Sequence, residues 1–282
     1  MEPINAQWVK LVQTQHPAKL LPFARHMSEQ TIAAIYGIDT ETYRSIQRQL
    51  AETVRDAAAD MLEQPDFAAK VDRLPFLPGQ TVVAVGESTT DDLLSWFELL
   101  RHLVQLRRPE DEIRFVNEGV SGFTTSQVLG RMSAIVAKEP DWLFCMIGGN
   151  DAMRIGPDAG ITQISPGETG RNMAAIRQLA AARTNARLVW LTPSSIDEQR
   201  AADYPYFKAA GLAWRNEDIR RAGDIIRELP DPVADTQDGF LSPGADRLLG
   251  PDGVHPTLEG HRYIVTVLVE ALAGEKLRVE AE

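Results

Sequence analysis

Apolar residues are distributed in two different ways along the chain. Over residues 1 to about 75 they recur at three- and four-residue spacings, and no strand-like run interrupts them. The clearest case begins near Asp39 and Thr40, where Tyr43, Ile46, Leu50, Val54, Ala58 and Met61 form one stripe of an amphipathic helix. Such a stripe requires a covering surface. The pattern leaves open whether that surface is the main body of the protein, a substrate that the helix closes over, or a second subunit in a homo-oligomer. Two prolines and a glycine at 74–80 end this texture. Beyond them, short apolar runs at 81–86, 113–117, 142–147, 187–192 and 232–235 alternate with helical patterns over 91–107, 125–138, 168–184, 213–229 and 256–273. That alternation predicts βαβ units and a sheet covered by helices on both faces. The expected fold is therefore α/β: a flavodoxin-like three-layer α/β/α arrangement with a parallel sheet of about five strands, plus an N-terminal helical extension. By texture the chain divides into a helical extension, 1–78, and an α/β domain, 79–282.

Composition narrows the class of partner. The 282 residues carry a formal charge of −11, which argues against nucleic acid or an anionic membrane surface. Hydrophobic residues at 44% and charged residues at 24% are ordinary for a globular protein. Cys145 is the single cysteine, so an intrachain disulfide and a cysteine-based metal cluster are both excluded. It lies in the apolar run 142–147, where it is expected to pack as a small core residue. The N-terminus has neither a basic start nor an apolar stretch of the secretory kind, and nothing approaches the ~20 apolar residues of a membrane span. The expected location is the cytoplasm.

Four short motifs carry candidate chemistry, and each also has an ordinary reading as a turn or a cap. Gly86-Glu87-Ser88-Thr89-Thr90 follows the first strand-like run, so Ser88 is either a helix N-cap or a nucleophile at a strand's carboxyl end. It is not the Gly-x-Ser-x-Gly elbow of the α/β-hydrolases, and it lacks a P-loop lysine. The stretch 117–125 follows the second run, and its Gly122 offers a backbone N–H close to a bound oxyanion. Gly148-Gly149-Asn150-Asp151 follows the third run; the Asn150 amide is a turn-former or a second donor to the same oxyanion. Asp252-Gly253-Val254-His255-Pro256 opens the last helical pattern, with Pro256 suited to the first helical position and Asp252 and His255 facing one side. All four lie beyond a strand or at the mouth of a helix, so all four can meet on one edge of the sheet. Together they supply a nucleophile, a base with an orienting acid, and oxyanion donors.

In order and content these motifs resemble the four signature blocks of the SGNH/GDSL hydrolases (GDSL-like esterases and lipases), over about residues 79 to 274. The resemblance implies catalytic roles for Ser88, Asp252 and His255, and an oxyanion hole made of the Ser88 and Gly122 N–H groups and the Asn150 side chain. It implies a serine esterase that hydrolyses acyl or acetyl esters of a small molecule, lipid or sugar through an acyl-enzyme, with no cofactor and no metal. The departure is Glu87, which stands where the family has aspartate. Three other functions compete: acyl transfer to an alcohol or sugar at the same site, a metallophosphoesterase, and a catalytically silent binding module. The metal alternative is poorly served, because His255 and His261 are six residues apart and His16, His26 and His102 lie outside the motifs. Arg154 and Trp214 are candidates for substrate contact, Arg154 competing with a surface ion pair and Trp214 with packing beside Tyr204, Tyr206 and Phe207.

Overall fold

The computed structural model describes residues 5–21, 24, 26–156 and 160–274. Five strands form a parallel sheet: β1 (Thr81–Gly86), β2 (Arg114–Asn117), β3 (Trp142–Met146), β4 (Arg187–Leu191) and β5 (Val233–Ala234). Their spatial order is 2-1-3-4-5, the flavodoxin-like order, so the chain reverses direction across the sheet between β1 and β3. Residues of β1 and β3 alternate between two apolar cores, which explains why the strands read as continuous hydrophobic runs. Val82, Ala84, Trp142 and Phe144 face helices Trp96–Arg107 and Leu258–Ala273. Val83, Val85, Leu143 and Cys145 face helices Thr125–Val136 and Pro166–Arg183. Cys145 is fully buried in the second core, as expected.

The long N-terminal helix spans Thr40–Leu62 with Asp39 as its N-cap, and Ile46, Leu50, Val54, Ala58 and Met61 of the stripe are buried. Val54, Ala58 and Met61 share the first core with the sheet, and the helix lies against Trp96–Arg107. Ile46 and Leu50 instead bury Val12 of helix Ala6–Thr14. The stripe is thus covered by the body of the same chain. Of the helical reading over residues 1 to 75, positions 1–4, 22, 23 and 25 lie outside the described residues.

Several helix limits differ from the periodicity. The pattern over 91–107 breaks into Ser88–Asp91 and Trp96–Arg107, because Asp92 leaves helical geometry and Ser95 caps the second piece. The Asp92 carboxylate holds that break by accepting from Leu94 N–H at 2.7 Å and from the Gln13 side chain. The last helix starts at Leu258 with Thr257 as N-cap; Pro256 precedes it and pairs with Leu249 in an isolated bridge. Between β4 and β5, the expected helix over 213–229 is Asn216–Arg227, preceded by two short helices, Glu198–Asp203 and Pro205–Ala210. Leu212–Ala213 joins Arg154–Ile155 and Ile161–Thr162 in a small antiparallel sheet. Among the described residues no helix is long and apolar enough to cross a membrane.

Candidate active site

In an open α/β sheet the crevice forms where the chain reverses direction, outside the carboxyl ends of the strands. Here that point lies between β1 and β3, and Ser88 and Asn150 follow those two strands. Ser88 is the first residue of helix Ser88–Asp91, with Glu87 at its N-cap. The turn after β2 is tied back to β1 by Glu118 N–H to Ala84 O and Val120 N–H to Gly86 O, at 2.8 and 3.0 Å. It then passes through Gly122 at φ +83°, a conformation that a side chain would strain.

The Asp252–His255 loop reaches Ser88 from 167 residues away. His255 Nε2 lies 3.0 Å from Ser88 Oγ, and His255 Nδ1 lies 2.8 Å from Asp252 Oδ2. The other Asp252 oxygen accepts the backbone N–H groups of Val254 and His255 at 3.0 and 2.9 Å. Burial alone would raise the Asp252 carboxyl. The hydrogen bond and charge of His255, with those backbone donors, outweigh it and hold the group at about 2. A hydroxyl bonded to an imidazole whose far nitrogen is fixed by a carboxylate can pass its proton to that ring.

Among the described residues, no acceptor takes the backbone N–H of Ser88 or of Gly122. Asn150 Nδ2 donates to Phe123 O at 3.1 Å, which leaves its second hydrogen available. Ser88, Gly122 and Asn150 line one cavity together with Asp252 and His255, a space of about 460 Å³. A cavity of similar size, about 430 Å³, opens between helices Thr40–Leu62 and Leu258–Ala273, but its charged lining includes none of these residues.

Glu87 braces the third motif. Its carboxyl oxygens accept Gly149 N–H at 3.1 Å and Asn150 N–H at 2.8 Å, so it fixes the backbone on which the Asn150 amide is mounted. A Cβ on Gly149 would sit 2.5 Å from Glu87 Oε1, so this close approach requires glycine. Burial pushes the Glu87 carboxyl up to about 8 in spite of the two N–H donors. Asp151 is buried beside it and accepts from Thr125 N–H at 2.9 Å, from the Thr125 hydroxyl and from the Thr169 hydroxyl at 2.9 Å, which ties the motif to two helices. The extra methylene at position 87 therefore reaches the Gly149–Asn150 backbone.

The two candidates for substrate contact divide. Trp214 lines the cavity, donates its indole N–H to Gly149 O at 3.1 Å and packs 4.8 Å from the Phe207 ring centroid. Tyr204, Tyr206 and Phe207 line the same wall. Arg154 takes the competing role, an ion pair. It is not part of the cavity lining, and its guanidinium forks onto Asp218 at 2.7 and 3.1 Å. Asp218 is buried and needs that positive charge as its partner.

Sequence reasoning missed a set of residues from the N-terminal region. Lys10, Thr14 and Gln15 line the cavity, and His16 and Lys19 bond Asp91, three residues after Ser88. No local pattern marks a contact between positions more than 70 apart. His261 is buried and accepts Trp96 N–H at 3.3 Å. Among the described residues, no group of three or more His, Cys, Asp or Glu side chains is arranged to hold a metal ion.

Residues 84–263 match the model of the GDSL-like Lipase/Acylhydrolase family. Over 53 residues the chain is 43% identical to an acetylxylan esterase of Geobacillus stearothermophilus, a stretch that spans 18% of this chain and 24% of that protein. The structure resembles that of a catalytic mutant of Axe2, an acetylxylan esterase from Geobacillus stearothermophilus, with a TM-score of 0.56, 22% identity and coverage of 73% of this chain and 99% of that one. It also resembles LAE5, an alpha/beta hydrolase enzyme from the metagenome of Lake Arreo, with a TM-score of 0.52, 22% identity and coverage of 70% and 96%. At such identity these likenesses speak for the fold, and the family match covers well over half of the chain. The chain belongs to the GDSL-like lipase/acylhydrolase family, a family of ester hydrolases.

Proposed function

We propose that this protein is a serine esterase that removes short acyl groups, acetyl foremost, from the hydroxyls of a carbohydrate-like alcohol. The observation that carries the chemistry is the relay from Ser88 Oγ through His255 to Asp252, at 3.0 and 2.8 Å. The sugar-like alcohol rests on the names of the relatives and on the cavity wall of Tyr204, Tyr206, Phe207 and Trp214, which offers flat apolar faces beside polar tips.

In the first half-reaction Ser88 Oγ attacks the ester carbonyl carbon while its proton passes to His255 Nε2. The carbonyl oxygen takes the negative charge and is met by the Ser88 and Gly122 N–H groups and the Asn150 amide. The ester C–O bond then breaks, and the alkoxide leaves with the proton from His255. In the second half-reaction water gives a proton to His255 and attacks the acyl carbon. Collapse releases the carboxylic acid and returns the proton to Ser88 Oγ. Asp252 stays ionised throughout and holds the imidazole in the required tautomer.

The test is hydrolysis of a p-nitrophenyl ester series from acetate upwards, together with an acetylated xylo-oligosaccharide, by wild type and Ser88→Ala. The expected result is turnover greatest for acetyl and abolished in Ser88→Ala. Turnover that survives the substitution contradicts the mechanism. Ser88-dependent turnover that favours long chains and ignores the oligosaccharide contradicts the substrate class.

A further inference from the structure

The N-terminal segment between Gln13 and Lys19 meets the active-site loops through a buried polar network that packing alone does not require. The Asp91 side chain is 1% exposed and accepts from His16 Nδ1 at 2.7 Å, Lys19 Nζ at 2.6 Å, Ser121 N–H at 2.8 Å and Ser121 Oγ at 2.9 Å. Lys19 Nζ also donates to Gly119 O at 3.0 Å and to Asn117 Oδ1 at 3.2 Å, so among the described residues its bonds fall on the Ser88 helix, on the end of β2 and on the turn that follows. Ser121 Oγ shares its one proton between Asp91 and Thr14 O, the latter at 2.7 Å, which ties the same turn to helix Ala6–Thr14. Gly122 is the next residue.

We infer that Lys19 is a positioning residue for the Gly122 N–H, and that the N-terminal extension is in this way a working part of the site. This role presupposes that the protein is the serine esterase proposed above. A carboxylate as buried as Asp91 is stable only with a cation and hydrogen-bond donors around it, and Lys19 supplies that cation. With Lys19 in place, Asp91 is free to use its second oxygen as a fixed acceptor for both polar groups of Ser121. That clamp sets the backbone one residue before the N–H that meets the developing oxyanion. An oxyanion donor acts by being aimed beforehand, so slackening this turn weakens transition-state binding more than substrate binding.

The experiment compares wild type, Lys19→Met and Ser121→Ala in p-nitrophenyl acetate turnover and in inhibition by an alkylboronic acid, whose Ser88 adduct places an oxygen where the oxyanion forms. Loss of one oxyanion donor costs about 10²–10³ in kcat, so a misaimed donor is expected to cost about tenfold or more. In both variants kcat and boronic acid affinity fall by similar factors, while KM stays within about twofold and the melting transition remains cooperative. Ser121→Ala keeps the Lys19–Asp91 pair, so it reads the same contact if Lys19→Met does not fold. Unchanged kcat in either folded variant, or a loss that appears in KM alone, overturns the inference while leaving the esterase reading intact. A wild type without Ser88-dependent turnover overturns the esterase reading itself, and this inference with it.

Discussion

Ser88, His255 and Asp252 form a chain of contacts whose ends differ sharply in ionisation. Asp252 is held at about 2, so it remains a carboxylate through the mildly acidic range. Asp252 is therefore expected to add no ionisation to the pH profile of kcat/KM above about pH 3; an acidic step in that range that Asp252→Asn removes would contradict this. Asp252→Asn keeps the shape but removes the charge and the tautomer control, and a fall in kcat on the order of 10³-fold or more is expected in steady-state assays. Asn150→Ala removes one candidate oxyanion donor and is expected to lower kcat about 10²–10³-fold with little change in KM. An unaltered rate would take Asn150 out of the site. Glu87 adds a pH effect on stability. Its folded carboxyl is raised to about 8 from an ordinary 4.5, so between those values the folded protein binds a proton that the unfolded chain has released. Stability therefore falls as pH rises through that window. Urea midpoints measured from pH 4 to 9 check this: Glu87→Gln has no proton to lose and should flatten the slope relative to wild type.

Among the elements, β1 and β3 carry the motifs to the place where the chain reverses direction across the sheet. Their buried, uninterrupted apolar runs are the reason their position was legible from hydrophobicity. Helix ends were less legible, because they depend on single side-chain caps. The periodicity over 91–107 is continuous, yet Asp92 and Ser95 divide it through bonds to Gln13, Leu94 and Glu98. Pro256 fits a first helical turn by type, but Thr257 caps the helix one residue later through Gly260 N–H. Arg154 shows the same limit for a single side chain. Nothing near position 154 in sequence reveals that Asp218 is waiting 64 residues away. At this scale Ile46→Ala is expected to cost about 2–5 kcal/mol in urea unfolding, since Ile46 is fully buried between the long helix and Val12. A cost near zero would mean that helix Ala6–Thr14 is not held on that surface.

For the molecule as a whole, the parallel five-stranded sheet and its two helical layers follow from the strand–helix alternation, and the order 2-1-3-4-5 follows from the flavodoxin-like expectation. The work of the N-terminal region was not legible. Its amphipathic stripe announced a partner surface without saying which, and the polar contacts that answer the question, from Gln13, Thr14, His16 and Lys19 to Asp91, Asp92 and Ser121, cross 72 to 107 positions of sequence. These helices lie outside the family match, yet they share the core of the sheet and line the cavity at Lys10, Thr14 and Gln15. Each motif alone reads as a turn or a cap. What makes them a candidate site is that one sheet edge gathers Ser88, Gly122, Asn150, Asp252 and His255 around a single cavity. The most direct test of that account is to treat the protein with a fluorophosphonate, map the labelled peptide and follow p-nitrophenyl acetate turnover in parallel. The account predicts one label per chain, on Ser88, with turnover lost in step. A label elsewhere, or full turnover in protein labelled at Ser88, would contradict it.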